Sequence, residues 1–334
     1  PPDMIDTTVI EEARSGGSSN SSFLREYCAQ FTDGSDSYFS AKKMYDCTIP
    51  DGEKPNTLLK GAKDQQYILA IDPSFSNSPS SDYFAMSVLE IDPDASNNST
   101  LVHSYAVAGG NLKDHIKYLY YIVTSFDLSL IIIDNAGYQF IDSANESELF
   151  TNSKINLKFF DYNSDKSGVD YQNMLLKAKG QYNKKEGAIC FKQLFSTTFL
   201  REANEYLQAS IDHRRIWFGS RTAACGSFFD KATNQAVPLK LTPHDTKGEF
   251  IEFQDDMIHQ TKKQCALVEV KTTAKGAQTF DLPQHLRRSS SVNRARKDNY
   301  TTLMLGNWAI KAYNDIKNTR QEEINYTFTP KMFG

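Results

Sequence analysis

Two aspartates each follow directly on a strongly apolar run, a position from which a carboxylate can take part in chemistry. Asp72 ends the run YILAID, and Asp134 ends the run LSLIIID. Taken singly, each is most simply a turn residue or a strand-end cap. Together the two aspartates indicate a shared site, because the ends of adjacent central strands in an open α/β sheet converge on one crevice. We therefore expect the two carboxylates to lie close together.

Two carboxylates in one crevice repel each other, and sharing a divalent cation removes that cost. Mg²⁺ and Mn²⁺ prefer oxygen ligands and usually keep water and substrate phosphate in their remaining positions. The six histidines have no HxH or HExxH spacing, which favours structural or surface roles for them. Neither a phosphate-cradling P-loop nor a GxGxxG motif occurs. The pattern thus favours a carboxylate site for Mg²⁺ or Mn²⁺.

Composition restricts the class of protein. The chain has 334 residues, of which 40% are hydrophobic and 23% are charged, so it is globular and not disordered. Its net charge of -4 gives no sign of a nucleic-acid coat or a membrane-surface protein. Neither a membrane span nor a signal peptide is recognisable, so we expect a cytosolic protein. The five cysteines form no CxxC pair and are expected to be reduced thiols.

Periodicity predicts the strands that carry the two aspartates. Residues 67–72, 83–91 and 101–108 are typical of three strands with short connections, which favours an antiparallel meander. Asn111 is placed to cap a helix, and residues 128–134 form the most apolar stretch of the chain. That stretch is expected to be a central strand buried on both faces. Ribonuclease H-like nucleases place two of their metal ligands in this order, at the ends of the first and fourth strands.

The predicted fold class is α/β, with a ribonuclease H-like mixed central sheet flanked by helices. Further helices are predicted over residues 171–179, 197–211, 250–265 and 298–317. Further strands are predicted over residues 155–160, 215–219, 266–273 and 277–282, the last two as a hairpin. Residues 221–247 are interpreted as a loop or flap.

Three segments carry a resemblance to a known family. They are YILAIDPSFSNSPSSDYFAMSVLEID around Asp72 and Asp82, LSLIIIDNAG around Asp134, and RARKDNYTTLMLGNWAIKAY around Asp298. In order and pattern they resemble the C-terminal nuclease domain of the large terminase subunit, the viral DNA-packaging motor protein of tailed bacteriophages. The upstream segment FLREYCAQFTDGSDSYFS looks like the one with which such proteins leave their ATPase domain.

The resemblance implies a division of the chain. Residues 1–66 are expected to be a linker or docking segment that follows an absent ATPase domain. Residues 67–320 are expected to form the nuclease domain, and residues 321–334 a C-terminal tail. The start at Pro1 and the lack of a P-loop favour a portion of a longer motor protein.

The family's third metal ligand lies at the start of the last core helix, usually in an HDD motif, and two positions compete for it. Asp298 opens the terminal amphipathic helix after the predicted hairpin, and the order of elements favours it. Asp256 is the alternative, because it follows Asp255 in an actual aspartate pair. Asp82 matches a further acidic position of the family, where it either binds metal through water or caps a strand.

The activity that the resemblance implies is an endonuclease that cuts double-stranded DNA with two Mg²⁺ or Mn²⁺ ions during genome packaging. Asp72 would bridge both ions, and Asp134 and Asp298 would each complete one. The implied partners of the full-length protein are the portal and the small terminase subunit, with no membrane partner. The implied location is the host cell cytoplasm.

One strongly basic stretch could attract DNA to this acidic protein. Residues 287–297 hold five positive charges and no negative one, directly before Asp298. We expect phosphate contacts through counterion release from Arg287, Arg288, Arg294, Arg296 and Lys297.

Two other functions stay open on the sequence alone. One is a junction resolvase or transposase of the same fold, which would cut branched DNA or join strands. The other is a non-catalytic module that docks on DNA or portal protein and whose acidic strand ends are structural.

Overall fold

The computed structural model describes residues 37–49, 57–76, 78, 80–92, 98–159, 189–219, 227–230, 235–238, 246–272, 278–287 and 295–327. Within them the central sheet has seven strands in the order β5-β6-β4-β1-β2-β3-β7. Their bounds are β1 Tyr67–Asp72, β2 Tyr83–Ile91, β3 Ser99–Ala108, β4 Leu128–Asp134, β5 Lys158–Phe159, β6 Ile189–Gln193 and β7 Ile216–Phe218.

The directions of the strands make this a mixed sheet. β1, β2 and β3 pair antiparallel, as the meander prediction required. β4 pairs parallel to β1, and β6 and β7 pair parallel to β4 and β3. An antiparallel meander followed by a helix and a parallel strand beside β1 is the ribonuclease H-like arrangement, which confirms the predicted fold class.

Helices cover both faces of the sheet. They are α1 Ala41–Asp46, α2 Leu112–Ser125, α3 Tyr138–Glu146, α4 Glu148–Asn152, α5 Thr197–Asp212, α6 Thr246–Leu267, α7 Gln284–Arg287 and α8 Asp298–Thr327. A 3₁₀ turn, Asn135–Gly137, joins β4 to α3. The predicted cap of α2 is confirmed, since Asn111 Oδ1 accepts from Asp114 N at 2.9 Å. None of the described helices is long and apolar enough to cross a membrane.

The sheet separates two apolar clusters, and the alternation of side chains along each strand assigns residues to one or the other. Ala70 of β1 and Ile132 of β4 belong to the cluster that includes residues of α8. Ile71 and Ile133 belong to the cluster on the opposite face, with α2 and α3. A strand's side chains repeat every second residue, so the residues two places after Ala70 and Ile132 face α8. Those residues are Asp72 and Asp134.

Part of the chain before β1 is built into this sheet. Ile49 N donates to Phe218 O at 2.8 Å, and Phe218 N donates to Cys47 O at 3.0 Å, so residues 47–49 run beside β7. Phe39, Met44 and Cys47 are buried in the cluster on the α8 face. The described residues of the expected linker therefore contribute to the core.

Several predicted elements differ from the observed ones. The predicted loop over 221–247 contains a two-stranded pair, β8 Ser227–Asp230 and β9 Gln235–Pro238, and α6 begins at Thr246. The hairpin is confirmed as β10 Glu269–Thr272 and β11 Gln278–Asp281. Strand β6 was missed, because its five residues, ICFKQ, are too few for a clear period. The helix predicted over 171–179 lies outside the described residues.

Candidate metal centre

The structure brings Asp72 and Asp134 to the same edge of the sheet. β1 and β4 are parallel neighbours in which Ile71 pairs with Ile133, so the two aspartates follow at equivalent positions. Adjacent strands lie about 4.8 Å apart. Both side chains are half-buried, and the alternation along each strand turns both toward α8. The expectation that these two strand ends converge is met.

Gly137 allows the loops after the two aspartates to approach each other. A Cβ atom at residue 137 would lie 1.9 Å from Cγ of Pro73, which is far too close for two non-bonded carbon atoms. Pro73 follows Asp72 directly, and Gly137 lies in the 3₁₀ turn that follows Asp134. The absence of a side chain at 137 is therefore a condition for the close packing of these loops.

The third aspartate, Asp298, is the first residue of α8 and is 7% exposed. Its Oδ2 accepts from Tyr83 N at 2.8 Å, which fixes the start of α8 to the start of β2. β2 runs beside β1, where Ala85 pairs with Asp72. This contact places Asp298 beside the strand end that carries Asp72.

Electrostatics indicate that the three carboxylates interact. Burial raises the pKa of Asp72 well above its usual value, and the negative charges of Asp298 and Asp134 raise it further. A hydrogen bond with Thr301 and the positive charge of Lys297 act in the opposite direction. Asp72 is thus harder to ionise in the presence of the other two carboxylates, which is the situation that a bound cation relieves.

The other two carboxylates also have raised pKa values. Burial raises the pKa of Asp298 to about 6, and the charge of Asp82 adds to this, whereas the hydrogen bond from Tyr83 N opposes it. Burial raises the pKa of Asp134, against backbone hydrogen bonds from Ala136 and Asn135. Perturbed carboxylates at a strand-end crevice are typical of functional sites.

The donor chemistry fits a hard divalent cation, since all three side chains offer carboxylate oxygens. The positions of the side chains, however, do not form a complete set of metal ligands. Among the described residues, no group of three or more His, Cys, Asp or Glu side chains is placed so that it could hold a metal ion. The assignment of ligands therefore depends on three observations. All three residues are aspartates, Asp72 and Asp134 face the helix that Asp298 begins, and the charges of Asp134 and Asp298 act on Asp72.

The two secondary candidates lie in different surroundings. Asp82 is exposed, directly before β2, and its charge acts on Asp298. Asp256 lies on α6, and its side chain is outside the described part of the structure. Gln264 of α6 contacts the first turn of α8 by accepting from Tyr300 N at 3.1 Å. Asp256 precedes Gln264 by two turns, about 12 Å along the helix axis.

The basic stretch before α8 is only partly described. Arg296 is 6% exposed, and its Nε donates to Ser81 O at 2.8 Å. Lys297 Nζ lies 3.2 Å from an oxygen of Asp281. Both residues thus have contacts within the protein. Arg287 ends α7, and Arg288 and Arg294 lie outside the described residues.

Sequence reasoning missed three polar residues at the site. Thr301 lowers the pKa of Asp72, and its spacing of one helical turn from Asp298 could have indicated it. Gln193 is buried and pairs in register with Asp134, but it was missed together with strand β6. Lys192 Nζ lies 4.6 Å from the centre of the Tyr138 ring, close to the same strand ends.

The described histidines that are buried have structural contacts, in agreement with the interpretation from the sequence. His103 hydrogen-bonds through Nδ1 to Leu58 O at 2.8 Å and through Nε2 to the Tyr118 hydroxyl at 2.7 Å. Burial lowers the pKa of His103 to about 4, so the ring is neutral at physiological pH. His115 stacks on Phe84 with ring centres 4.1 Å apart.

The strand order and the aspartates at the ends of β1 and β4 define a ribonuclease H-like fold with an acidic site. Neither a scan of known protein families nor a search of curated proteins finds a match. A search of solved structures finds similarity to the large terminase nuclease of thermophilic phage G20c, solved with bound magnesium. Its TM-score is 0.42 at 12% identity, over 82% of this chain and 97% of that one.

Two further solved structures are similar over a comparable part of the chain. For the HK97 bacteriophage large terminase the TM-score is 0.41 at 11% identity, covering 82% of this chain and 43% of that one. For the nuclease domain of the large terminase subunit gp2 of bacterial virus Sf6 the TM-score is 0.39 at 9% identity, covering 81% of this chain and 98% of that one. These structures belong to the family that the sequence motifs resemble.

Proposed function

We propose that this chain is the metal-dependent endonuclease domain of a viral large terminase subunit. It cuts double-stranded DNA during genome packaging in the host cell cytoplasm, by phosphodiester hydrolysis with two Mg²⁺ or Mn²⁺ ions. The observation that carries the proposal is the position of three aspartates, from distant parts of the sequence, relative to the central sheet. Asp72 and Asp134 end parallel neighbouring strands, and Asp298 begins the helix that packs over them.

The charges of Asp134 and Asp298 both act on Asp72. Asp72 would therefore be the ligand shared by the two ions, and Asp134 and Asp298 would each complete the site of one. When bound, the ions lower the pKa of a water molecule and stabilise negative charge on the phosphate and on the leaving oxygen.

Neighbouring groups hold the carboxylates in their orientation. Thr301 lies close enough to Asp72 to lower the pKa of that carboxyl, and Tyr83 N donates to Asp298 Oδ2 at 2.8 Å. Such outer contacts fix ligand geometry before the ions arrive. Because these groups favour the ionised carboxylates, they partly offset the rise in pKa that burial causes.

The DNA backbone is the proposed partner of the basic stretch over residues 287–297. Arg287, Arg288 and Arg294 are the members that we assign to phosphate contacts, since Arg296 and Lys297 have partners within the protein. These contacts read no sequence. In the full-length protein, the portal and the small terminase subunit are the further proposed partners.

A second candidate is a non-catalytic module that docks on DNA or portal protein. The observation that favours it is that the described residues contain no group of three such side chains already placed for a metal ion. In that case the strand-end aspartates would be structural caps, and removing their charge would leave DNA binding intact.

Nicking of supercoiled plasmid tests the proposal. The wild type is incubated with Mn²⁺, with and without excess chelator, beside Asp72→Asn, Asp134→Asn and Asp298→Asn. Asp142→Asn, an exposed aspartate of α3, is the matched control. We expect nicking by the wild type and the control only, and only without chelator. Equal nicking by wild type and Asp72→Asn removes the nuclease assignment, and DNA binding without any cleavage supports the docking module.

A further inference from the structure

Arg296 fastens the segment before α8 to the segment before β2. Its Nε donates to Ser81 O at 2.8 Å, and its Nη1 lies 3.5 Å from the Tyr83 hydroxyl. Its guanidinium carbon lies 4.5 Å from the centre of the Tyr83 ring. Since Arg296 is 6% exposed, these contacts take the place of water around the charge. A buried guanidinium with hydrogen bonds and an aromatic face costs far less than an unpaired one.

A second connection lies two residues further along the chain, where Tyr83 N donates to Asp298 Oδ2 at 2.8 Å. Residues 296 and 298 thus hold residues 81 and 83. We call Ser81, Tyr83, Arg296 and Asp298 the Arg296 clamp. The residue that the clamp encloses is Asp82.

The clamp acts against repulsion between two carboxylates. Asp82 is exposed and directly precedes Tyr83, whose N–H donates to Asp298 Oδ2 at 2.8 Å, so the backbone brings the two carboxylates near each other. The connection from β1 to β2, residues 73–82, is longer than a tight hairpin turn. Pairing with β3 fixes Tyr83, but turn geometry does not fix Asp82 before it. The clamp holds the residue on each side of Asp82 against the charge of Asp298.

We propose that Arg296 is a positioning residue, which holds Asp82 beside Asp298 through the Arg296 clamp so that both carboxylates face one divalent cation. This inference rests on the proposed function and deepens it. Arg296 acts by fixing the residues on either side of Asp82, and it contacts neither the ion nor the DNA. Asp82 is thereby assigned to the metal site and not to strand capping.

Arg296→Lys is the informative substitution, because lysine keeps the positive charge but has neither the planar fork nor the stacking surface of arginine. Tyr83→Leu removes the ring from the opposite side of the clamp and leaves the backbone N–H that binds Asp298. Arg215→Lys is the matched control. Arg215 O accepts from Ser99 N, and Ser99 pairs with Ile91 at the far end of β2.

Three measurements on the full chain separate the possible roles. They are Mn²⁺ affinity by calorimetry, affinity for duplex DNA without metal by fluorescence anisotropy, and plasmid nicking as a function of Mn²⁺ concentration. We expect Arg296→Lys and Tyr83→Leu to weaken Mn²⁺ binding by about tenfold, the effect of losing an outer-shell partner of a metal ligand. The Mn²⁺ concentration for half-maximal nicking should rise by the same factor, with DNA affinity and circular dichroism unchanged.

A double substitution tests the assigned route through Asp82. If Arg296 acts by holding Asp82, Mn²⁺ binding by Arg296→Lys/Asp82→Asn should be no weaker than by Asp82→Asn alone. Additive losses would contradict the inference. So would unchanged Mn²⁺ affinity in Arg296→Lys, or weakened DNA binding with intact Mn²⁺ affinity, which would make Arg296 a phosphate contact.

The calorimetry also separates this inference from the function on which it rests. A wild type that binds Mn²⁺ but does not nick DNA refutes the nuclease, while the affinities of the variants still decide the role of Arg296. A wild type that binds no Mn²⁺ refutes both.

Discussion

Removing the charge of Asp298 should make the protein more stable at neutral pH while it abolishes the proposed activity. Asp298 is 7% exposed, and burial raises its pKa from 3.8 to about 6. A difference of that size corresponds to about 3 kcal/mol of unfolding free energy. The carboxylate therefore destabilises the folded chain when it is ionised. Asparagine has no charge, and its Oδ1 can still accept from Tyr83 N.

The pH dependence follows from the sign of the shift. Because the folded pKa lies above the unfolded one, the folded chain binds the proton more tightly between about pH 4 and pH 6. The free energy of unfolding contributed by Asp298 falls as the pH rises through this window, and it stays low at pH 7. Asp298→Asn should thus gain about 1 to 3 kcal/mol over the wild type at neutral pH and lose this advantage near pH 4.

Urea unfolding followed by tryptophan fluorescence measures this difference at several pH values. Asp142→Asn removes a charge from an exposed position and should change stability by less than about 0.5 kcal/mol. Mn²⁺ should raise the stability of the wild type and leave Asp298→Asn unaffected, because a cation that binds only the folded site adds its binding energy. The reasoning is refuted if Asp298→Asn is less stable than the wild type at neutral pH, or if their difference does not change with pH.

Three further outcomes are expected. Gly137→Ala should lower stability by about 1 to 3 kcal/mol and reduce nicking, because its Cβ would lie 1.9 Å from Pro73 Cγ; wild-type nicking and melting temperature would contradict this. The pKa of His103 in the folded chain is lowered from 6.5 to about 4. Because the unfolded chain then binds the proton more tightly, the free energy of unfolding should fall by about 3 kcal/mol as the pH falls from 6.5 to 4. His103→Gln should therefore show a shallower acid loss in urea titrations, and an equally steep one would refute this role. Removing the proposed phosphate-binding arginines should lower the slope of log affinity against log salt by about 0.9 for each phosphate that is no longer neutralised, and an unchanged slope would reject their role. The variant for that test combines alanine substitutions at Arg287, Arg288 and Arg294.

The sequence was sufficient where apolar runs are long and end in a recognisable turn. Strands β1, β2 and β4 begin and end at the predicted residues, and α2 has the predicted Asn111 cap. Their order alone places Asp72 and Asp134 together, because parallel neighbouring strands end at the same edge. Asp298 was favoured by the order of elements, and its hydrogen bond from Tyr83 N places it at that edge.

The sequence was insufficient where a contact joins distant residues or an element is short. Strand β6 has five residues, and its place between β4 and β5 follows only from pairing. The inward contacts of Arg296 could not be read from its charge, because a basic run before a helix has the same composition whether it faces DNA or folds back. They are visible only in the structure, where Arg296 Nε donates to Ser81 O.

The pairing of residues 47–49 with β7 limits where the chain can be cut for expression. A fragment that begins at Tyr67 would lose Phe39, Met44 and Cys47 from the apolar cluster under α8. It would also leave the backbone of Phe218 without the partners that residues 47 and 49 provide. A soluble, crystallisable fragment of this protein should therefore retain the chain from about Ser37 onward, even though the first strand of the sheet begins thirty residues later.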